Sequence, residues 1–313
     1  MKKYRVVFGV ASVSIILALL GYLMVRGVHF DVLQPMGSIA KQQRDLLVFT
    51  LVLSAVVVIP VFTLLGIFAW NYREGRTGSK KRHRPDHKDN VWLEVAWWGI
   101  PIAIIAVLAV VTWVTSHSLD PYRKIESSKP AIEVQVVALQ WKWLFIYPEL
   151  GVATLNQLPV PVDTPIHFTL TADAPMSAFW VPTLGSQIYN MNGMSSQLNL
   201  IANHEGNFPG YTTNINGEGY AKMKFMVRSQ SKAAFDAWVK RARKSKDMMD
   251  QAAYDKLAKP ETITEEREYM LMQRGLYDWI VQKYMPEHAT SEAPNSTHNT
   301  NGSNHDMHKM EGM

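Results

Sequence analysis

The chain has 313 residues, a formal net charge of +5 and no cysteine. Without thiols it has no disulfide, iron–sulfur cluster, thiolate zinc site or cysteine nucleophile, although this leaves the redox compartment open. Its mean hydropathy of -0.08 averages an N-terminal third rich in long apolar runs with a polar remainder, and the positive charge sits beside those runs, which favours a membrane over nucleic acid.

Val6–Val25, Leu46–Trp70 and Val95–Ser116 contain 20, 25 and 22 residues without a charge, and a membrane span needs about 20. The first run, within residues 1–28, follows Lys2, Lys3 and Arg5 and reads as a signal-like segment or as transmembrane helix 1. Its length and the lack of a small-x-small cleavage site before Arg26 favour an uncleaved helix. The second and third runs predict transmembrane helices over 44–71 and 93–118, with Pro60 and Pro101 inside them. Proline in a membrane helix is tolerated where neighbours satisfy the freed carbonyl, which suggests packing against other helices.

The loop 72–92 holds Arg73, Arg76, Lys80, Lys81, Arg82, Arg84 and Lys88 against Glu74, Asp86 and Asp89. The positive-inside rule places it in the cytoplasm and everything beyond the third run on the outer face. Trp70, Trp92, Trp97 and Trp98 then form an aromatic belt on the cytoplasmic side, as interfacial tryptophans do.

From Ile132 the period changes to two. Ile132, Val134 and Val136 alternate with Glu133 and Gln135, and Ile166, Phe168 and Leu170 with His167 and Thr169. Leu198 and Leu200 flank Asn199, and Ala221, Met223, Phe225 and Val227 alternate with polar residues. Such runs predict half-buried strands, and the pieces between them, Leu158–Val162, Ala172–Pro175 and Asn214–Gly217, read as turns. Residues 130–229 are thus predicted to form a β-sandwich or barrel. A helical extension is expected over 230–285, with Ala233, Ala234, Ala237, Trp238 and Ala242 on one face of a first helix and a second helix over Glu265–Lys283. The tail 286–313 is polar and low in complexity and reads as disordered.

Three sets of residues, Glu94-Val-Ala-Trp97 with Pro101, Gln140-Trp-Lys-Trp143 and Trp180-Val-Pro-Thr-Leu-Gly185, together resemble subunit II of the heme–copper oxidases. Trp141–Pro148, Leu184–Tyr189 and the extension after Ser229 resemble its quinol-oxidising, cytochrome bo-type branch. The resemblance covers about residues 38–285 and implies a membrane-anchored α+β chain in which transmembrane helices precede a cupredoxin-like β-sandwich and a helical C-terminal extension. It also implies a multi-pass protein of the bacterial inner membrane, with the β-domain on the periplasmic side.

In the cytochrome c-oxidising members this fold holds a two-copper centre. The family frame of one histidine and Cys-x-x-x-Cys-x-x-x-His-x-x-Met falls here on Ser177, Thr212, Asn216, Tyr220 and Met223. Bridging thiolates are what such a centre requires, so these positions are vestigial and no metal is expected in this chain. The carboxylate that helps bind magnesium in the family aligns with Asn214, which puts that site in doubt as well. The resemblance therefore implies a non-catalytic subunit of a proton-pumping quinol oxidase. Hemes and one copper are expected in a partner subunit I, subunits III and IV as further partners, ubiquinol or menaquinol as the substrate, and no nucleic acid.

Glu94 opens the third run. A carboxylate at a helix N-terminus is ordinarily worth about 0.3–1 kcal/mol, whereas the resemblance implies a position at the mouth of the partner's proton-uptake channel, as carboxylates at membrane edges permit. Met223 alternates with Phe225 and reads foremost as core. Trp141 and Trp143 are read as packing residues at the interface with the partner. His288, His298, His305 and His308 with Met307, Met310 and Met313 suit copper collection or a solvated tail, and the solvated tail is favoured. No phosphate loop, serine triad spacing or HExxH stands out, so no catalytic residue is assigned. The alternatives are a membrane-anchored copper-binding protein and a purely structural binding module.

Overall fold

The computed structural model describes residues 30–71 and 90–285. The first apolar segment, nearly all of the basic loop 72–92 and the tail 286–313 lie outside the described residues.

Helices α1 (Ser38–Asn71) and α2 (Val91–Ser118) are long and apolar enough to cross a membrane. Their 34 and 28 residues rise about 51 and 42 Å at helical pitch, more than a hydrocarbon core of about 30 Å. Leu51, Phe62, Leu65, Trp98, Ile102 and Val110 point away from the rest of the chain. Helices apolar on every side are covered by lipid or by other helices. Asn90 caps α2, its side chain accepting from the Trp92 amide at 3.0 Å.

The outer part follows as β1 (Ile132–Leu139), β2 (Lys142–Tyr147), β3 (Val152–Leu155), β4 (Gln157–Pro161), β5 (Pro165–Ala172), β6 (Ser177–Trp180), β7 (Ile188–Asn190), β8 (Ser196–Ile201), β9 (Gly206–Thr212) and β10 (Lys224–Gln230). Then come α3 (Lys232–Ala242), β11 (Met248–Met249), α4 (Gln251–Leu257), β12 (Arg267–Leu271) and α5 (Leu276–Gln282). One sheet has the order β11-β12-β3-β2-β1-β5-β8 and the other β4-β10-β9-β6-β7. They pack as a sandwich, as period-two strands with an apolar face must.

Strand β1 lies between antiparallel β2 and parallel β5, with Gln135 opposite Ile146 and Val134 opposite Phe168. Its Val134, Val136 and Ala138 enter the core between the sheets, where Trp143, Phe145, Phe168, Phe179 and Phe225 meet. Phe179 stacks on Phe225 at 5.1 Å, and Trp143 meets Phe179 edge-on at 5.5 Å, geometries that suit the ring quadrupoles. Gly210 pairs with Phe225, and a Cβ there would come within 2.1 Å of the ring.

The other face of β1 and β2 carries Val137, Leu139, Leu144 and Ile146, and these are covered by Tyr254, Leu257, Tyr277 and Ile280 of the C-terminal extension. Strands apolar on both faces need a second layer, and each buried side chain of this size contributes about 1.5–3 kcal/mol. The extension thus completes the fold.

Four local expectations are corrected. Leu158–Val162 is not a turn, because β4 takes in Pro159 and Pro161 and, among the described strands, pairs with β10 alone; an edge strand tolerates prolines whose missing N–H faces outward. The strand expected from Ala221 begins at Lys224, after a 3-10 turn over Tyr220–Lys222. The preceding chain lies on Trp141, and a Cβ at Gly219 would approach that ring to 2.3 Å.

The helix expected over Glu265–Lys283 is instead strand β12 and helix α5, since β12 pairs with the edge of β3. Gly275, at φ +80, starts α5, a conformation glycine adopts at little cost. The extension is therefore not purely helical. In α3 the buried face is Phe235, Trp238, Val239 and Ala242, while Ala233, Ala234 and Ala237 are exposed, because the large rings have more area to bury than alanine methyls.

The start of α1 is tied to the sandwich. Met36 and Gly37 amides donate to the Thr183 carbonyl, the Ala40 amide to Leu184, and Gln43 Nε2 to Ser186 Oγ. The segment after α2 is held by Asn199, whose backbone and side-chain nitrogens both donate to the Pro121 carbonyl.

Candidate functional site

Ser177 opens β6 and Thr212 ends β9, and the sheet register places Phe179 opposite Thr212. The loop after β9 returns Asn216 beneath them, and Met223 follows the 3-10 turn into the core. Asn216 Nδ2 donates to Ser177 Oγ at 2.8 Å and to Met223 Sδ at 3.3 Å. The Asn216 carbonyl accepts from Trp141 Nε1 at 3.1 Å. Ser177, Asn216 and Met223 are all buried.

Four of the five vestigial positions thus converge. Ser177, Asn216 and Met223 are joined by the Asn216 amide, and Thr212 lies beside them, its Oγ1 accepting from the Ala178 amide at 3.5 Å. Tyr220 stands apart in its turn, with no side-chain hydrogen bond to the other four among the described residues.

A hydroxyl, an amide and a thioether are a poor donor set for paired copper ions, which take soft thiolate bridges. The cluster does not fit a dicopper centre, and no step is derived through one. Its bonds are neutral and cross-link three segments of the loop end. The Asn216 Oδ1 atom is buried without a partner among the described residues, a desolvation cost set against the two bonds that Nδ2 makes.

Trp143 is fully buried among Phe179 and Phe225, which corrects its reading as an interface residue: a ring inside the sandwich touches no partner. Trp141 is only partly buried and covers Gly217 and Gly219. Glu94 is partly exposed in the first turn of α2, about 36 Å along the helix axis from Ser118 at 1.5 Å per residue. It is separate from the loop cluster.

One polar group escaped the sequence reading. Asp173, at the end of β5, is buried and accepts from Tyr254 Oη at 2.6 Å, from Lys283 Nζ at 3.0 Å and from Tyr284 Oη. Burial pushes its carboxyl up, but the bonds from Tyr254, Tyr284 and Lys283, with the charge of Lys283, outweigh burial and hold it below the ordinary value. Burial and the Asp173 carboxylate push Tyr284 up to about 12 and Tyr254 up as well.

Nearby, Lys142 buries its ammonium and donates to the Lys259 and Glu261 carbonyls; desolvation lowers its pKa, partly offset by Glu261. Both groups fasten the extension to the sandwich. The aspartate in the Ala172–Pro175 turn was visible in the sequence, but its partners lie 81 to 111 positions away.

The chain matches a family model described as cytochrome c oxidase subunit II, periplasmic domain, over residues 152–230 and one described as the COX aromatic rich motif over 243–288. It is 40% identical to a cytochrome bo(3) ubiquinol oxidase subunit 2 of Pseudomonas putida, over 90% of this chain and 88% of that protein. It is 42% identical to a ubiquinol oxidase subunit 2 of Acetobacter aceti, over 84% and 85%. It is 35% identical to a quinol oxidase subunit 2 of Bacillus cereus, over 73% and 78%.

Proposed function

The chain belongs to the quinol oxidase subunit 2 family, and on that premise we propose that it is the membrane-anchored, copper-free subunit II of a proton-pumping quinol oxidase. The carrying observation is the Asn216 amide bonded to Ser177 and Met223 where the family's copper frame falls. Without thiolates this domain has no relay for electrons from a soluble donor. A quinol delivers its electrons within the membrane to hemes in the partner subunit, and subunit II anchors and shapes the outer face of that partner.

The further parts of the complex, subunits III and IV, one copper in subunit I, and ubiquinol or menaquinol as donor, belong to the same proposal, as does the bacterial inner membrane with the β-domain outside. Purification through a tag on this chain tests it. The expected result is a heme-bearing complex that consumes oxygen with quinol and not with reduced cytochrome c. Oxygen uptake driven efficiently by cytochrome c overturns it.

Glu94 offers a carboxylate at the end of α2 remote from the β-domain, where the helix meets the membrane edge. A carboxylate at a helix N-terminus is favourable in itself, and one at a membrane edge can also serve a proton path. Glu94→Ala is expected to slow turnover several-fold while heme content and subunit composition stay unchanged. Unaltered turnover removes Glu94 from the proton path.

A further inference from the structure

A cleft of about 540 Å³ opens where the β-domain ends of α1 and α2 converge on the sandwich. Its wall includes Ser38 and Gln42 of α1 and Asp120, Arg123, Lys124 and Glu126 just beyond α2. Its size falls within the roughly 300–1,000 Å³ of small-molecule sites.

Depth along the helix identifies what surrounds it. Trp92 and Trp113 are both largely exposed, at 81% and 71%. They stand about 32 Å apart along α2 at 1.5 Å per residue, the thickness of a hydrocarbon core between two interfacial aromatic belts. Tyr122, also exposed, lies beyond Trp113 on the same side. Ser118, which also lines the cleft, lies about 7 Å past Trp113 by the same rise. The cleft therefore sits at headgroup level, directly above the bare apolar flanks of both helices.

Its charge is balanced and of both signs. Arg123 meets Glu126 only at 3.6 Å, with both side chains exposed, a contact of little strength. Lys124 has no ion pair among the described residues. Asp120 accepts from the Tyr122 amide through Oδ1, and Oδ2 has no partner among the described residues.

We propose that the cleft seats a phospholipid with a phosphoethanolamine headgroup. Arg123 and Lys124 take the phosphodiester, Asp120 and Glu126 take the ammonium, and the acyl chains descend along α1 and α2. A guanidinium and an ammonium suit a phosphate, and the two carboxylates select a zwitterion over a purely anionic lipid. This site does not depend on which electron donor the complex uses.

The test uses the whole complex in nanodiscs with a photoactivatable phosphatidylethanolamine, read by mass spectrometry of labelled peptides. Labelling is expected in residues 118–126 and 38–43 and to persist in excess inorganic phosphate. The Arg123→Glu, Lys124→Glu double variant is expected to lose about tenfold or more of it, because both charge-assisted contacts to the phosphodiester become repulsive. Heme content and oxygen uptake report that this variant is assembled, and if it is not, the wild-type arms decide. Equal labelling by a phosphatidylglycerol probe, competition by phosphate, or a cleft covered by a partner subunit and unlabelled each overturns the proposal.

Discussion

Two polar clusters lie on either side of the short turn between Ala172 and Ser177, and they hold the molecule by different physics. The cluster of Ser177, Asn216 and Met223 is neutral, and its bonds join loops of a single sandwich end. The cluster of Asp173, Tyr254, Lys283 and Tyr284 contains a buried carboxylate, and its bonds join the sandwich to the extension. The first stands where the copper frame of the sequence resemblance was expected to fall, and it makes no use of charge. The second has the only buried carboxylate among the described residues, and it needs a cation and two phenols to keep it. The first cluster contains no titratable side chain, and the second is built around one.

Removing a charged bond should cost the protein more than removing a neutral one. Asp173→Ala strands the Lys283 ammonium and two phenols, and hydrogen bonds to a charged group are worth about 1.5–3 kcal/mol each at most. A loss of about 2–3 kcal/mol is expected, discounted because Lys283 is 40% exposed. It should appear as early proteolysis of the extension, with the sandwich intact. Asn216→Ala removes two neutral bonds and is expected to cost about 1–2 kcal/mol, seen as a lower melting temperature of the complex with the extension still protected. Trp141→Phe keeps the ring over Gly219 and loses only the bond to the Asn216 carbonyl, about 0.5–1.5 kcal/mol by thermal melting.

Acidity separates the clusters further. The Asp173 carboxyl is held below its ordinary value of 3.8. Its contribution is complete above that value and is lost as pH falls through the lower folded one. At the other extreme, Tyr284 is held up to about 12 against an ordinary 10.0. The folded state keeps this phenol protonated, so stability falls as pH rises from about 10 to about 12. Protease protection of the extension is expected to be flat from above the acid limb up to the alkaline range where Lys142, its pKa lowered by burial, begins to deprotonate. Asp173→Asn should abolish the acid limb, and no comparable limb should appear in Asn216→Ala. An acid limb unchanged in Asp173→Asn would show that another carboxylate governs docking.

Much of the architecture was legible from pattern alone. Charge-free runs gave α1 and α2, and alternation located β1, β5 and β8, because these elements bury faces with a clear period. Reading failed where a partner decides the conformation. Pro159 and Pro161 look like turn residues until β10 supplies an edge to which β4 can add, and the stretch Glu265–Lys283 looks helical until the free edge of β3 captures β12.

The missing thiolates were legible at once, and the resemblance pointed to Ser177 and Asn216. How these two are joined was not legible, because the bond from Asn216 to Ser177 spans 39 positions. Likewise Trp143 resembled a surface residue in a motif, and only the packed rings of Phe179 and Phe225 show it to be core.

On the proposed function, hydrogen bonds from Asn216 hold the positions of the copper frame and no electrons pass through them. Electron paramagnetic resonance of the air-oxidised complex, together with its copper content, decides the matter. No mixed-valence dicopper signal is expected, and no copper beyond that of the partner subunit. A dicopper signal that disappears in Met223→Ala overturns the proposed function.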